Sequence, residues 1–186
     1  MLKQYKYQAD YYNEETNKNF IQHHYFFKYE NLIRNQIIGL KFQEKPYIYQ
    51  TITNFLKNMQ KSFENLKRYD IIITVPISKQ RKKERGYNQS HLVAKEISKI
   101  INVPIARNVL YKIKNTVPQS SLNKKQREEN AKGVYKIKNI KKVQNKKILI
   151  IDDIYTTGNT VNECAKNLIQ NGVKRNNIGV LTIAKD

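Results

Sequence analysis

Cysteine is almost missing from this chain: Cys164 is the single one among 186 residues. One thiol excludes an internal disulfide and any zinc site built on cysteines. Acidic residues are also scarce, with 15 Asp and Glu against 35 Lys and Arg. No apolar run approaches the roughly 20 residues that cross a bilayer. The opening Met1-Leu2-Lys3-Gln4-Tyr5-Lys6-Tyr7 lacks the apolar core of a secretory signal. No internal repeat and no clear linker interrupt the sequence. Together these absences point to the cytoplasm as the expected compartment and to one domain of ordinary size, long enough to bury a core without covalent staples.

What is abundant is positive charge, a formal net of +20. Such a field favours nucleic acids, phosphorylated metabolites or anionic membranes. The cations are 28 Lys and only 7 Arg, in a chain also crowded with Asn and Ile. The charge therefore reads either as a compositional bias of the source organism or as a polyanion surface. Placement says more than the total. Arg81, Arg85 and Arg127 fall inside motif-like segments, where a planar, bidentate grip on phosphate favours Arg over Lys.

Residues 1–28 are polar and tyrosine-rich without a clean period and read as an irregular N-terminal extension. His23-His24 invites a metal, but adjacent residues on a helix or strand point in different directions, and no cysteine accompanies them. Residues 30–42 carry Leu32, Ile33, Gln36, Ile37 and Leu40 at helical spacing. Pro46 opens a second expected helix reaching about Lys67, with Ile48, Ile52, Phe55, Leu56 and Met59 on its apolar side. Ile71 to Val75 is a β-branched strand stopped by Pro76. Val93, Ile97, Ile100 and Ile101 mark a helix over 89–101, and a short strand is expected after Pro104. Residues 112–133 are polar, with little sign of a core face. Lys146 to Ile151 reads as a strand, the segment around Val161, Cys164, Ala165, Leu168 and Ile169 as a helix closed by Asn171-Gly172, and Ile178 to Ala184 as a last strand. Strands apolar on both faces, alternating with helices, predict an α/β fold with a parallel sheet covered on two sides. Ligands of such sheets bind beyond the carboxyl ends of the strands. That rule puts Pro76–Lys79 and Asp152–Thr160 on one rim.

The most telling stretch is Ile148 to Thr160, Ile-Leu-Ile-Ile-Asp-Asp-Ile-Tyr-Thr-Thr-Gly-Asn-Thr. A buried strand delivers two adjacent carboxylates to its tip. Ionised carboxylates only accept hydrogen bonds, so ribose hydroxyls are suitable partners. A magnesium ion held by sugar oxygens and a diphosphate would lower the repulsion between the acids. Thr156, Thr157 and Thr160 then offer hydroxyls, Gly158 lets the backbone approach closely, and a helix N-terminus supplies N–H groups to a monophosphate.

This segment resembles the phosphoribosyl diphosphate (PRPP) signature of type I phosphoribosyltransferases: an apolar run, two acids, two variable residues, then Thr-Thr-Gly-x-Thr. The resemblance implies ribose hydroxyls on Asp152 and Asp153, with Mg²⁺ as the cofactor beside them. It implies the 5′-phosphate on Thr156, Thr157, Gly158, Asn159 and Thr160. Two further blocks narrow it. One is Val75-Pro76-Ile77-Ser78-Lys79, then Arg81 and Glu84-Arg85-Gly86-Tyr87-Asn88-Gln89. The other is Thr116-Val117-Pro118-Gln119, then Leu122, Arg127, Asn130 and Gly133-Val134-Tyr135. With Tyr29-Glu30-Asn31-Leu32-Ile33-Arg34 and Leu40-Lys41-Phe42, they resemble the ComF family of late-competence proteins over roughly residues 25–185. The implied fold is a type I phosphoribosyltransferase-like domain over 29–186, a mostly parallel sheet flanked by helices. The resemblance implies an N-terminal four-cysteine zinc module before the Tyr-Glu segment, where this sequence has no cysteine; either the module has been lost or the chain is a shortened form, and no zinc is expected.

On the rim, the Pro76, Ile77, Ser78 and Lys79 loop together with Arg85 is the expected diphosphate site. Lys79, Arg85 and Arg127 are the candidate catalytic cations. Tyr87 either stacks on a base or packs, and Asn88 and Gln89 either cap the next helix or touch ligand. Residues 112–133, with Lys124, Lys125 and Arg127, read as a lid or as a solvated basic loop. Three functions remain open: a ComF-type PRPP-binding protein serving DNA uptake, with single-stranded DNA and other uptake proteins as partners; an active phosphoribosyltransferase acting on a base or amine; and a PRPP sensor without turnover.

Overall fold

The computed structural model describes residues 8–42, 54, 60–114, 126, 129 and 132–186. Seven strands and four α-helices are described: β1 (Gln8–Tyr11), β2 (Gln22–Lys28), α1 (Asn31–Phe42), β3 (Ile71–Thr74), α2 (Lys79–Arg85), α3 (Gln89–Ile101), β4 (Leu110–Lys112), β5 (Tyr135–Ile137), β6 (Ile148–Tyr155), α4 (Asn159–Gln170) and β7 (Ile178–Lys185). Five strands form one sheet in the order β1-β2-β7-β6-β3, parallel except for the β1–β2 edge pair. β4 and β5 form a separate antiparallel hairpin.

The three strands expected from their apolar runs, β3, β6 and β7, are adjacent, and their side chains alternate between two cores. Ile72, Leu149, Ile151 and Leu181 face Val93, Ala94, Ile97 and Ile101 of α3, together with Phe63 and Leu66. Ile73, Ile148, Ile150 and Val180 face Val161, Cys164, Ala165 and Leu168 of α4, together with Leu110 and Tyr135 of the hairpin. Burial on both faces is why these strands read as unbroken Ile, Leu and Val rather than as an alternating pattern.

The irregular extension expected over residues 1–28 is not what residues 8–28 form. β2 lies inside the sheet, paired with β1 on one side and with β7 on the other. Its sequence, Gln-His-His-Tyr-Phe-Phe-Lys, hides its strand character because buried polar side chains interrupt the apolar pattern. His23 bonds Thr182 through Nε2 at 2.8 Å and stacks on the ring of Tyr155, with centroids 4.0 Å apart. His24 Nε2 lies 3.1 Å from the Tyr69 hydroxyl. Burial, reinforced by nearby cations, lowers the pKa of His23 to about 2 and that of His24 to about 3. The 3.7 Å approach of His23 Nδ1 to Asp10 is therefore a contact with a neutral ring at pH 7, not an ion pair.

Smaller differences have local causes. The strand expected after Pro104 is a single parallel bridge, Ile72 to Ile105. The helix expected over 46–67 lies mostly outside the described residues, and its described end, Gln60–Leu66, is a 3₁₀ helix. β6 does not stop at Ile151: it continues through both aspartates, pairing with β7 as far as Tyr155 opposite Lys185.

Candidate functional site

β3 and β6 are parallel neighbours with Thr74 opposite Ile151, and Val75 N–H donates to Ile151 C=O at 3.0 Å. Residues 75–79, leaving the carboxyl end of β3, therefore run beside Asp152–Tyr155, the last part of β6, from which residues 156–160 turn away. The rim inferred from sequence is present in the fold.

Asp152 is buried, with only 9 % of its surface exposed. Its Oδ1 accepts a 2.9 Å hydrogen bond from the hydroxyl of Ser90, in the first turn of α3. Asp153 is half-buried, and its Oδ1 accepts from the N–H of Ile154 at 2.8 Å. The two acids are held differently: Asp152 by a side chain from another element, Asp153 by the backbone beside it. Lys112, at the end of β4, lies in the electrostatic neighbourhood of Asp152. Burial, with Arg81 adding repulsion and Asp152 opposing, brings its pKa down to about 8. Arg85 lies close enough to Asp153 for their charges to interact; burial and Arg81 push its pKa down, against the pull of Asp153. Lys112 is thus near Asp152 and Arg85 near Asp153, with Arg81 close to both cations.

The block from Ser78 to Gln89 folds as a helix, a break and a second helix. Ser78 is the N-cap of α2, its hydroxyl accepting from Arg81 N–H at 3.3 Å. Pro76 and Ile77 precede it half-buried, and Lys79 starts the helix exposed. Gly86, at φ 73°, ends α2 in the left-handed conformation that glycine adopts without strain. Asn88 takes the capping role: its Oδ1 accepts from Ser90 N–H at 3.1 Å, while its Nδ2 donates to Val75 C=O at 2.9 Å. It thereby ties α3 to the rim loop. Arg127, Lys124 and Lys125 lie outside the described residues.

After β6 the chain turns through Thr156 and Thr157 to Gly158, the N-cap of α4 at φ 74°. Thr157 does not cap the helix, and no side-chain cap bond is made there. Gly158 is needed for two reasons beyond close approach to a ligand. Its backbone is left-handed, and a β-carbon there would collide with the ring of Tyr155, 2.6 Å from Cε2. Tyr155 is held by the stacked ring of His23, with centroids 4.0 Å apart. Thr156, Thr157, Asn159 and Thr160 are half-buried around this turn. Their open side presents the first N–H groups of a 12-residue helix, a geometry suited to a phosphate monoester.

Sequence reading missed Ser90 and Lys112. A serine in a helical first turn reads as part of a cap, and one lysine among 28 carries no signal of its own. Cys164 is fully buried in the core behind the site, and burial pushes its thiol pKa well up, so it packs as a small apolar residue. Among the described residues, no helix is long and apolar enough to cross a membrane.

A family profile described as the phosphoribosyl transferase domain matches residues 88–186. Competence protein F of Haemophilus influenzae is 32 % identical over 138 residues, 72 % of this chain and 60 % of that protein. Competence protein ComFC of Bacillus subtilis is 27 % identical over 148 residues, 78 % of this chain and 57 % of that one. The DNA utilization protein YhgH of Escherichia coli K12 is 32 % identical over 103 residues, 55 % of this chain and 44 % of its own length. The chain thus spans 44–60 % of the length of these relatives. Among solved structures, a purine phosphoribosyltransferase from Pyrococcus horikoshii aligns over 87 % of this chain and 86 % of that one, at 15 % identity and a TM-score of 0.39. With its profile match over more than half its length and its likeness to these competence and DNA-utilization proteins, the chain belongs to the phosphoribosyl transferase domain family and, within it, to the ComF group.

Proposed function

We propose that this chain binds PRPP with Mg²⁺ at the Asp152–Thr160 rim and serves DNA uptake. The observation that carries the ligand is the pairing of a buried, Ser90-anchored Asp152 with an uncapped helix N-terminus six residues later on the same strand–turn–helix unit. Acceptors for ribose hydroxyls and donors for a phosphate stand in the order that a 5-phosphoribosyl group requires. The diphosphate falls to the neighbouring Pro76–Lys79 loop and Arg85, with Lys112 as an added cation.

The acid pair suits magnesium in one specific way. No group of three or more potential metal ligands exists among the described residues, and one oxygen of Asp152 is already committed to Ser90. Mg²⁺ keeps waters and binds through one or two carboxylates plus substrate oxygens, so Asp152 and Asp153 would hold it largely through the sugar and diphosphate. When bound, it would neutralise the diphosphate charge.

Calorimetric titration with PRPP and Mg²⁺ tests this. Saturable one-to-one binding that vanishes without Mg²⁺ is expected; no heat with either present would reject the ligand assignment. Repeating the titration with short single-stranded DNA tests the second half. The net charge of +20 and the names of the relatives support a DNA-uptake role. If DNA binds through its phosphates, affinity falls steeply with salt. Salt-insensitive binding, or none, would count against direct DNA contact.

An active transferase is the second reading, favoured by Lys112 and Arg85 beside the acids, cations that suit a departing diphosphate. Incubation with PRPP, Mg²⁺ and a panel of bases and amines distinguishes it. Release of diphosphate supports turnover. Binding without release leaves a PRPP sensor.

A further inference from the structure

The loop between β1 and β2 reaches across the molecule to the far side of the phosphate turn, and its attachments are unusually specific. Arg175 fastens it from below: Nε donates to Lys18 C=O at 2.9 Å, and a terminal nitrogen donates to Tyr12 C=O at 2.9 Å and to Asn13 C=O at 2.7 Å. Asn162, in the first turn of α4, grips it from the side. Its Oδ1 accepts from Asn19 N–H at 2.7 Å, and its Nδ2 donates to Asn17 C=O at 3.0 Å. Between these two anchors Lys18 is half-buried, its ammonium 3.1 Å from the carbonyl oxygen of Thr157 and 5.6 Å from the centroid of the Tyr155 ring. Three consecutive residues, Asn17, Lys18 and Asn19, thus each bond the turn or the first helical turn after it.

A trans peptide points its C=O and its following N–H in opposite directions. Holding Thr157 C=O therefore fixes the direction of Gly158 N–H. Gly158 sits at φ 74°, packed against Tyr155, and no side chain caps the helix there. Nothing but Lys18 is seen to bond the Thr157 carbonyl among the described residues. A half-buried ammonium here also adds positive potential to a helix N-terminus.

We propose that Lys18 is a positioning residue of the phosphate site: by pinning the Thr157 carbonyl it aims the Gly158 N–H at the 5′-phosphate of the sugar. The β1–β2 loop is then a working part of the site rather than an appendage. The proposal rests on the PRPP reading above. The ligand recognised is a phosphate monoester on a pentose, and the diphosphate end is not touched by Lys18.

The test compares wild type, K18M and K18R in titrations with ribose 5-phosphate and, separately, with inorganic diphosphate and Mg²⁺. K18M is expected to weaken ribose 5-phosphate by roughly tenfold. Diphosphate affinity should stay unchanged while the melting temperature falls, because the bond also exists without ligand, and K18R should recover most of both losses. If K18M binds ribose 5-phosphate like wild type, the role of Lys18 is refuted while the PRPP reading stands. If both ligands weaken together, Lys18 supplies only general charge and the positioning role is wrong. If wild type binds neither ribose 5-phosphate nor PRPP, the reading and the proposal fall together.

Discussion

The Ser90 hydroxyl donates to Asp152 Oδ1 at 2.9 Å, joining residues 62 positions apart across the mouth of the sheet. The bond fixes the rotamer of a buried carboxylate. It also ties the first turn of α3 to β6, while Asn88, the cap of α3, ties the same helix to Val75 of the rim loop. Replacing Ser90 with Ala removes a donor from a buried charged acceptor, an effect of about 1–3 kcal/mol. S90A is expected to lower stability in urea by that order and to weaken PRPP about tenfold. An unchanged affinity would mean that Asp152 is positioned by something else.

The two aspartates should respond differently. D153N alters a half-buried carboxylate held by the neighbouring Ile154 N–H. D152N alters a buried one that accepts from Ser90 and lies near Lys112. Both substitutions are expected to abolish PRPP binding, because an amide offers one acceptor oxygen where two were used. Only D152N should also change thermal stability by more than about 1 kcal/mol, since it alters the acceptor of the buried Ser90 hydroxyl and removes the charge near half-buried Lys112. Titration and a thermal melt on each variant check both points. Retained affinity in either one removes that residue from the ribose site.

G158A places a methyl group at a left-handed backbone position and against the Tyr155 ring. The backbone cost is about 1–2 kcal/mol, and overpacking adds about 1–3 kcal/mol. A destabilisation of about 2–5 kcal/mol is therefore expected in urea melts. By contrast, G86A meets open space and incurs only the backbone cost. Equal losses for the two variants would show that Tyr155 yields.

Acid sensitivity follows from His23 and His24. Their folded pKa values, about 2 and about 3, lie below the ordinary value of about 6.5 that the unfolded chain regains. Between these limits the unfolded state binds more protons, so stability is complete above about pH 6.5 and falls as the pH drops. Each buried histidine contributes a slope of about 1.4 kcal/mol per pH unit well below 6.5. Urea midpoints between pH 7.5 and 5 should show this decline. H24N, which retains a polar group beside Tyr69, should halve the slope contributed by the pair; an unaltered slope would mean that His24 protonates without unfolding.

Much of the site is legible in the residues from Ile148 to Thr160 because local chemistry dictates it. Four apolar β-branched or leucine residues make a strand buried on both faces. Two acids follow within bonding distance of its tip, and a glycine is the residue that turns the chain into a helix there. Asn88 is similarly readable as a cap, and the apolar spacing of α3 gives its bounds to the residue. β2 is not readable, because its buried positions are filled by glutamine and histidines whose partners, Arg68, Thr182 and Tyr69, lie 45 to 159 residues away.

Sequence alone determined the strand, the acid pair and the turn, since each depends on neighbours within a few residues: burial period, strand-end charge and the left-handed backbone of one glycine. Tertiary structure alone decided what holds them. Ser90 reaches Asp152, Lys18 reaches Thr157 and Tyr155 closes under Gly158 only after α3, the β1–β2 loop and β6 have packed. A hydrogen bond between distant residues leaves no period in the sequence, because its strength depends on three-dimensional approach and not on spacing along the chain.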